Sequence, residues 1–208
     1  MDATPNVRDG RGGALLLTVL CIPMFLILLD VMAMNVAMPT LGRAFAISTA
    51  DWAQVVDAYT VPLAIGLLPG GLIVDRWGGR RSLLTALVVF CLASVLGGLA
   101  WSWPVVLAAR VAQGLAAAVM LPAGLAALTL TWSAPDARAR ALGAWSAVSA
   151  VATAVGPAVG GLLVAAASWR SVFWVNVPLV LVALFGTALL LPDRRTAAGV
   201  RQGGPRAR

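Results

Sequence analysis

The sequence predicts an all-α membrane protein with six transmembrane helices, and three observations carry that prediction. Of the 208 residues 61% are hydrophobic and only 11% are charged, with a mean hydropathy of +0.92; a soluble domain is about half apolar and about a quarter charged. Six apolar runs have about the length, roughly 20 residues, that a helix needs to cross a ~30 Å hydrocarbon core. The connections between the runs are short, and together with the two terminal segments they hold every arginine but Arg110. Backbone groups in lipid must be satisfied within the segment, so runs of this length read as helices rather than open strands.

The first run covers residues 14–38 and is followed by Pro39. It is longer than the apolar core of a secretory signal, contains Asp30 and shows no small-residue cleavage site, so it reads as a retained span. The second run, 52–74, opens after Ser48, Thr49 and Asp51, residue types that start helices. Gly78 and Gly79 break the chain before the third, 82–100. Trp103 and Pro104 precede the fourth, 105–130, and Pro135 and Asp136 mark the turn into the fifth, 141–167. The sixth covers 172–191, and Pro192 closes it. The expected organisation is therefore a short N-terminal segment (1–13), a membrane domain (14–191) and a polar, disordered tail (192–208).

The charge inventory excludes most chemistry. All 15 cations are Arg and all 8 anions are Asp; there is no Lys, Glu or His. Without His there is no Ser-His-Asp triad and no imidazole metal site. Without Lys there is no Walker-type phosphate loop and no Schiff base. An enzyme is not expected, nor a cofactor or a bound metal. Cys21 and Cys91 lie alone in apolar runs and read as small hydrophobes rather than a disulfide. A pI near 11.4 raises the question of nucleic acid. A nucleic-acid domain clusters its Arg on polar surfaces among aromatics, whereas these Arg occupy loops between apolar runs, and no nucleic-acid partner is expected.

Orientation follows from those loops. Arg8 and Arg11, then Arg76, Arg80 and Arg81, then Arg138 and Arg140, and finally Arg194, Arg195, Arg201, Arg206 and Arg208 fall on one side of a six-span chain. The other side has Arg43 and Arg170. The positive-inside rule puts both termini in the cytoplasm. Trp52, Trp101, Trp103 and Trp169 are then expected at the outer interface and Trp77 and Trp132 at the inner one, as an aromatic belt.

Charges inside spans cost about 2.5–3.5 kcal/mol each on insertion scales and usually mark pathways. Asp30 in the first span and Arg110 in the fourth carry that penalty at similar depth, so they are placed to pair. Two readings stand: they face a polar cavity and couple to the movement of an ion or substrate, or they form an ion pair that fixes helix packing. Asp57 lies nearer the outer interface and faces water on the simplest reading. Asn35 and Gln113 accompany the two charges along the same spans, as interhelical hydrogen-bonding groups or as substrate contacts.

The loop after the second span reads Gly71-Leu72-Ile73-Val74-Asp75-Arg76-Trp77-Gly78-Gly79-Arg80-Arg81. Gly71 permits close helix contact, Asp75 sits near a helix end where it can pair with Arg or a facing helix N-terminus, and Gly78 makes a tight turn. Arg80 and Arg81 hold the loop at the membrane face. This stretch resembles the signature loop of the major facilitator superfamily of secondary transporters, with Gly79 where a basic residue is common. Leu29-Asp30 followed by Asn35-Val36-Ala37-Met38-Pro39 is similar to the first-span motif of its drug:proton antiporters with fourteen spans, with Met32 where Thr is usual. Arg110-Val111-Ala112-Gln113-Gly114, then Pro122, resembles the fourth-span motif, whose Arg the family links to proton transfer. Gly156-Pro157-Ala158-Val159-Gly160-Gly161 resembles the fifth-span antiporter motif, and Trp169-Arg170, Phe173, Asn176 and Pro178 the start of the sixth span. Apart from any family, Gly156 and Gly160 form a small-xxx-small face and Pro157 removes a backbone donor, which suggests a close-packed, bendable seam. Gly66 and Gly70, with Pro62 and Pro69, give the second span the same character.

The resemblance runs from about Leu29 to Leu191 and implies the N-terminal half of such a transporter: two inverted three-helix repeats in the plasma membrane. It implies proton-coupled export of drugs or other amphipathic small molecules by alternating access, with Asp30 as the proton site, Arg110 biasing it, Asp75, Arg76 and Arg80 as a cytoplasmic latch, and a bend at Gly156, Pro157 and Gly160. Alternating access needs an opposing half. The implied partners are the lipid bilayer, protons, the substrate, and a second six-helix half that is fused, separately encoded or a second copy. The alternative function is a non-transporting half that acts as a membrane partner or regulator of a full-length transporter.

Overall fold

The computed structural model describes residues 11–192. The expectations for residues 1–10 and 193–208, including Arg8, Arg194, Arg195, Arg201, Arg206, Arg208 and the disordered tail, lie outside the described residues.

The described residues form helices and short connections, with no strand among them. The helices are α1 (Arg11–Phe45), α2 (Ala53–Trp77), α3 (Gly79–Gly98), α4 (Trp103–Thr131), α5 (Pro135–Ala166), α6 (Ser171–Trp174) and α7 (Asn176–Leu190). Six helical segments among the described residues are long and apolar enough to cross a membrane, the sixth being α6 and α7 in line. Its interruption at Val175 has a local cause. Pro178 has no N–H to donate to the carbonyl four residues back, but it is tolerated in the first turn of the next helix.

Three boundaries differ from the sequence expectation. α1 does not stop at Pro39 but continues through it to Phe45; a single missing N–H does not end a helix whose neighbours hold it, and Thr40 Oγ1 donates to the Ala37 carbonyl at 2.8 Å. Ser48, Thr49 and Asp51 do not cap α2 directly. Thr49–Asp51 form a 3-10 turn in which Asp51 accepts from Ser48 Oγ at 2.6 Å and from Gln54 Nε2 at 2.8 Å. Gly78 alone separates α2 from α3; its φ of 86° and ψ of 148° lie in a region open essentially to glycine.

The packing has an internal symmetry. α2 lies along α4 and α1 along α5; α4 also packs on α3, as α1 does on α7; α1 meets α4, and α3 meets α7. Exchanging α1, α2 and α3 for α4, α5 and α6–α7 maps this set of contacts onto itself. With three spans per repeat the second repeat runs inverted to the first, so the bundle is two inverted three-helix repeats. Small residues build the two equivalent seams. On α2, a Cβ at Gly66 would stand 2.8 Å from Ala118 Cβ, and Gly70 abuts the Ala118 carbonyl. On α5, Gly156 abuts Met32, and a Cβ at Gly160 would stand 2.6 Å from Ala33 Cα.

α1, α3 and α4 form the centre. Half or more of the most apolar window is buried for each of them, against 11% for α2 and 17% for α5. One apolar cluster gathers Leu20, Leu26, Leu87, Phe90, Met120 and Leu128, and another at the far end gathers Met34, Leu41, Val55, Val106 and Phe173. Trp169 belongs to the second and Trp132 to the first, at 4% and 8% exposure. The expectation that both sit in an aromatic belt is therefore corrected. Trp169 packs 5.5 Å from Phe45 and 6.2 Å from Phe173, with the Arg170 guanidinium 4.3 Å over its ring. Trp77 and Trp101 are exposed, as a belt requires.

Candidate functional site

The interior of this apolar bundle contains one connected set of polar side chains contributed by four helices. Asp30 (α1), Ser94 (α3), Arg110 and Gln113 (α4) and Asn176 (α7) are each at most 1% exposed. Arg110 Nη1 donates to Asp30 Oδ2 in an ion pair and to Gln113 Oε1 at 2.9 Å. Asn176 Nδ2 donates to Asp30 Oδ1 at 2.6 Å. Gln113 Nε2 donates to Ser94 Oγ at 3.0 Å and reaches Asp30 Oδ1 at 3.5 Å. Ser94 Oγ donates in turn to the Phe90 carbonyl at 2.8 Å, which ties the network to the backbone of α3. Tyr59 of α2 closes the arrangement, its ring 4.3 Å from the Arg110 guanidinium carbon.

Helix periodicity explains which residues meet. Gln113 lies three positions after Arg110, hence on the same face of α4. Asn35 lies five positions after Asp30, about 140° around α1 at 100° per residue, and it is exposed. The structure therefore joins Asp30, Arg110 and Gln113 and leaves Asn35 apart. Asp57 is also exposed on the outside of α2.

The reading in which Asp30 and Arg110 face a polar cavity differs from this arrangement, because both are enclosed within the six-helix bundle. Three side chains that the sequence did not single out as site residues make the enclosure possible: Asn176, Ser94 and Tyr59. A lone amide in the apolar sixth span and the only tyrosine of the chain inside the second span were the signals available. A buried ion pair is held only when its remaining lone pairs and protons find partners. Here the carboxylate takes hydrogen bonds from α4 and α7 together, so it links the first repeat to the second.

The loop motif is arranged at the opposite end of α2. Arg80, at the start of α3, donates from Nη2 to the Ala188 carbonyl at 2.7 Å, a cation on the last turn of α7. Asp75, Arg76 and Arg81 are exposed. Gly71 was expected to permit a close helix contact, but a Cβ there meets nothing within 4 Å. Its bare backbone opens outward from α2 rather than onto another helix of the bundle. Of the fifth-span motif, Gly156 and Gly160 form the seam with α1, a Cβ added at Gly161 would stand 3.9 Å from Val36 Cγ1, and Pro157 is exposed.

The family model described as Major Facilitator Superfamily matches residues 20–207. The chain belongs to this superfamily of transporters. The Multidrug resistance protein Stp of Mycobacterium tuberculosis is 38% identical over 79% of this chain and 30% of its own length. The Puromycin resistance protein pur8 of Streptomyces alboniger is 38% identical over 89% of this chain and 37% of its own. The Tetracenomycin C resistance and export protein of Streptomyces glaucescens is 35% identical over 89% of this chain and 34% of its own. The chain thus spans about a third of the length of these relatives, in keeping with an N-terminal half. The crystal structure of a bacterial homologue of the human lysosomal transporter Spinster, inward-facing and unoccupied, shares the fold with a TM-score of 0.71 at 22% identity. The match covers 93% of this chain and 45% of that one.

Proposed function

We propose that this chain is the N-terminal half, residues 14–191, of a proton-coupled exporter of drugs or other amphipathic small molecules that works by alternating access in the plasma membrane. Both termini are cytoplasmic on this reading, because Arg76, Arg80, Arg81, Arg138 and Arg140 fall in the connections that six spans put on the same side as both termini. Relatives named for multidrug, puromycin and tetracenomycin C resistance support the export of amphipathic compounds.

The observation that carries the reading is the enclosed Asp30–Arg110 pair with its Gln113 and Asn176 partners. A carboxylate at this depth is the natural proton carrier, since protonation removes a charge that is costly in an apolar interior. Arg110 is its counter-charge. Proton arrival breaks the charge pairing between α1 and α4 and alters the contact between the two repeats. Gly156, Pro157 and Gly160 let α5 follow α1, while Asp75, Arg76 and Arg80 hold the cytoplasmic end closed. Asn35, exposed on another face of α1, is a substrate contact on this reading. The uncovered faces of α2 and α5 support a second six-helix half as partner, whether fused, separate or a second copy. The same uncovered faces support the second reading, a half that regulates a full-length transporter, which predicts co-purification with that transporter and no substrate response of its own.

The test is dye efflux from dye-loaded proteoliposomes that hold the chain with its opposing half and are placed in an acidic medium, so that protons enter as dye leaves. Replacing Asp30 by Asn abolishes the proton-driven component and leaves insertion intact. Undiminished coupled efflux in that variant removes Asp30 from the mechanism.

A further inference from the structure

Asn176 carries an unused atom in the most constrained part of the molecule. Its Nδ2 donates to Asp30 Oδ1 at 2.6 Å, while its Oδ1 is buried with no hydrogen-bond partner among the described residues. The residue itself is 0% exposed. A buried acceptor without a donor has lost its hydrogen bond to water with nothing in return, so an arrangement that left it permanently idle would be unfavourable. An amide is unusual in presenting a donor and an acceptor on one planar group, exchanged by a half-turn of the side chain.

We propose that Asn176 is an amide switch that holds Asp30 in both of its protonation states, donating from Nδ2 to the carboxylate and, after a half-turn, accepting at Oδ1 from the protonated acid. The proposal rests on the reading of Asp30 as the proton site. The balance is simple: a hydronium ion gives up one proton and leaves as water, so one O–H bond breaks there and one forms at Asp30 Oδ1, and the new O–H donates to the amide oxygen that was idle. The groups around Asp30 leave this task to Asn176. Arg110 from α4 is a donor only; the ring of Tyr59 from α2 faces Arg110, and its hydroxyl, buried without a partner among the described residues, makes no hydrogen bond to Asp30. Ser94 from α3 has its oxygen occupied by Gln113 and its proton by the Phe90 carbonyl. Gln113 Oε1 is taken by Arg110. α5 presents glycines, Gly156 and Gly160, to this stretch of α1. The consequence is directional. Protonation loosens α1 from α4, where the ion pair is lost, and keeps α1 attached to α7. Asn176 is in this sense a positioning residue that selects which helix contact yields.

The experiment is a double-mutant cycle read by thermal unfolding of the chain in lipid nanodiscs. Asp30→Asn is the neutral mimic, with an N–H in place of the acid O–H. Asn176→Leu, close in size, removes both faces of the amide; Asn176→Ala repeats the comparison should the leucine variant fail to fold. The expected result is that loss of the Asn176 amide lowers Tm in the Asp30→Asn background about as much as in the wild type. An amide that serves only the ionised carboxylate makes the substitution silent in that background, which overturns the proposal. A spectroscopic readout separates positioning from mere packing. With Asn6 and Asn35 replaced by Ser, Asn176 is the only asparagine left to carry a carbon-13 amide label. Its infrared carbonyl band is expected to shift in step with the Asp30 carboxylic acid band as pH is lowered. A growing acid band beside a fixed amide band overturns the switch. An acid band that never appears counts against Asp30 as the proton site, and the Asp30→Asn comparison still decides whether Asn176 holds a neutral partner.

Discussion

Gly160 of α5 lies against Ala33 of α1 so closely that a Cβ on it would stand 2.6 Å from the Ala33 Cα. The equivalent contact in the other repeat is Gly66 of α2 on Ala118 of α4, with 2.8 Å between the added Cβ and the alanine Cβ. The two seams join the repeats to each other, because each pairs an outer helix of one repeat with an inner helix of the other. Gly160→Leu and Gly66→Leu are each expected to destabilise the bundle by about 1–3 kcal/mol through overpacking. Denaturant titration in mixed micelles measures this, and a Gly161→Leu control is expected to cost less, since a Cβ there meets only Val36 at 3.9 Å.

The Asp30–Arg110 pair makes a second prediction. Removing one partner leaves an uncompensated buried charge, so Arg110→Leu is expected to cost about 3–5 kcal/mol. Combining it with Asp30→Leu removes both charges and is expected to recover a large part of that loss, while abolishing any proton-driven transport. Unfolding midpoints of the three variants check the non-additivity.

Arg80 ties the start of α3 to the last turn of α7 through the Ala188 carbonyl. Arg80→Gln is expected to release that turn at a cost of roughly 1 kcal/mol, because the hydrogen bond is partly open to solvent. Hydrogen exchange at the amides near Leu190 reports it directly, and the exchange of α4 is expected to stay unchanged.

Two backbone positions have opposite expectations. Gly78 has φ 86° and ψ 148°, so Gly78→Ala is expected to cost about 1–3 kcal/mol. Ala46 has φ 53°, a left-handed conformation after the end of α1, so Ala46→Gly is expected to stabilise by about 1 kcal/mol. Thermal shifts of the two variants in one detergent settle both signs.

The membrane spans were legible in the sequence because hydropathy and length are local properties: the six runs reappear as α1 to α5 and the α6–α7 pair, with ends moved by up to seven residues. A glycine break between the second and third spans was legible for the same reason, though not that Gly78 alone makes it, as was the fitness of Asp30 and Arg110 to pair, since both sit at a depth where a lone charge is costly. What the sequence could not supply was the rotation and neighbours of each helix. Trp169 and Trp132 look like interfacial anchors along the chain, yet they are buried because the helices beside them close over their rings. Asn35 follows Asp30 in the same motif and points elsewhere, while Asn176, 146 positions away, donates to the carboxylate. Gly71 looked like a packing glycine and faces open space, whereas Gly160 is pressed on Ala33. The physical reason is common to these cases. Insertion into lipid is determined segment by segment, but the partners of a buried polar atom are determined by which helix faces meet, and only the packed bundle fixes that.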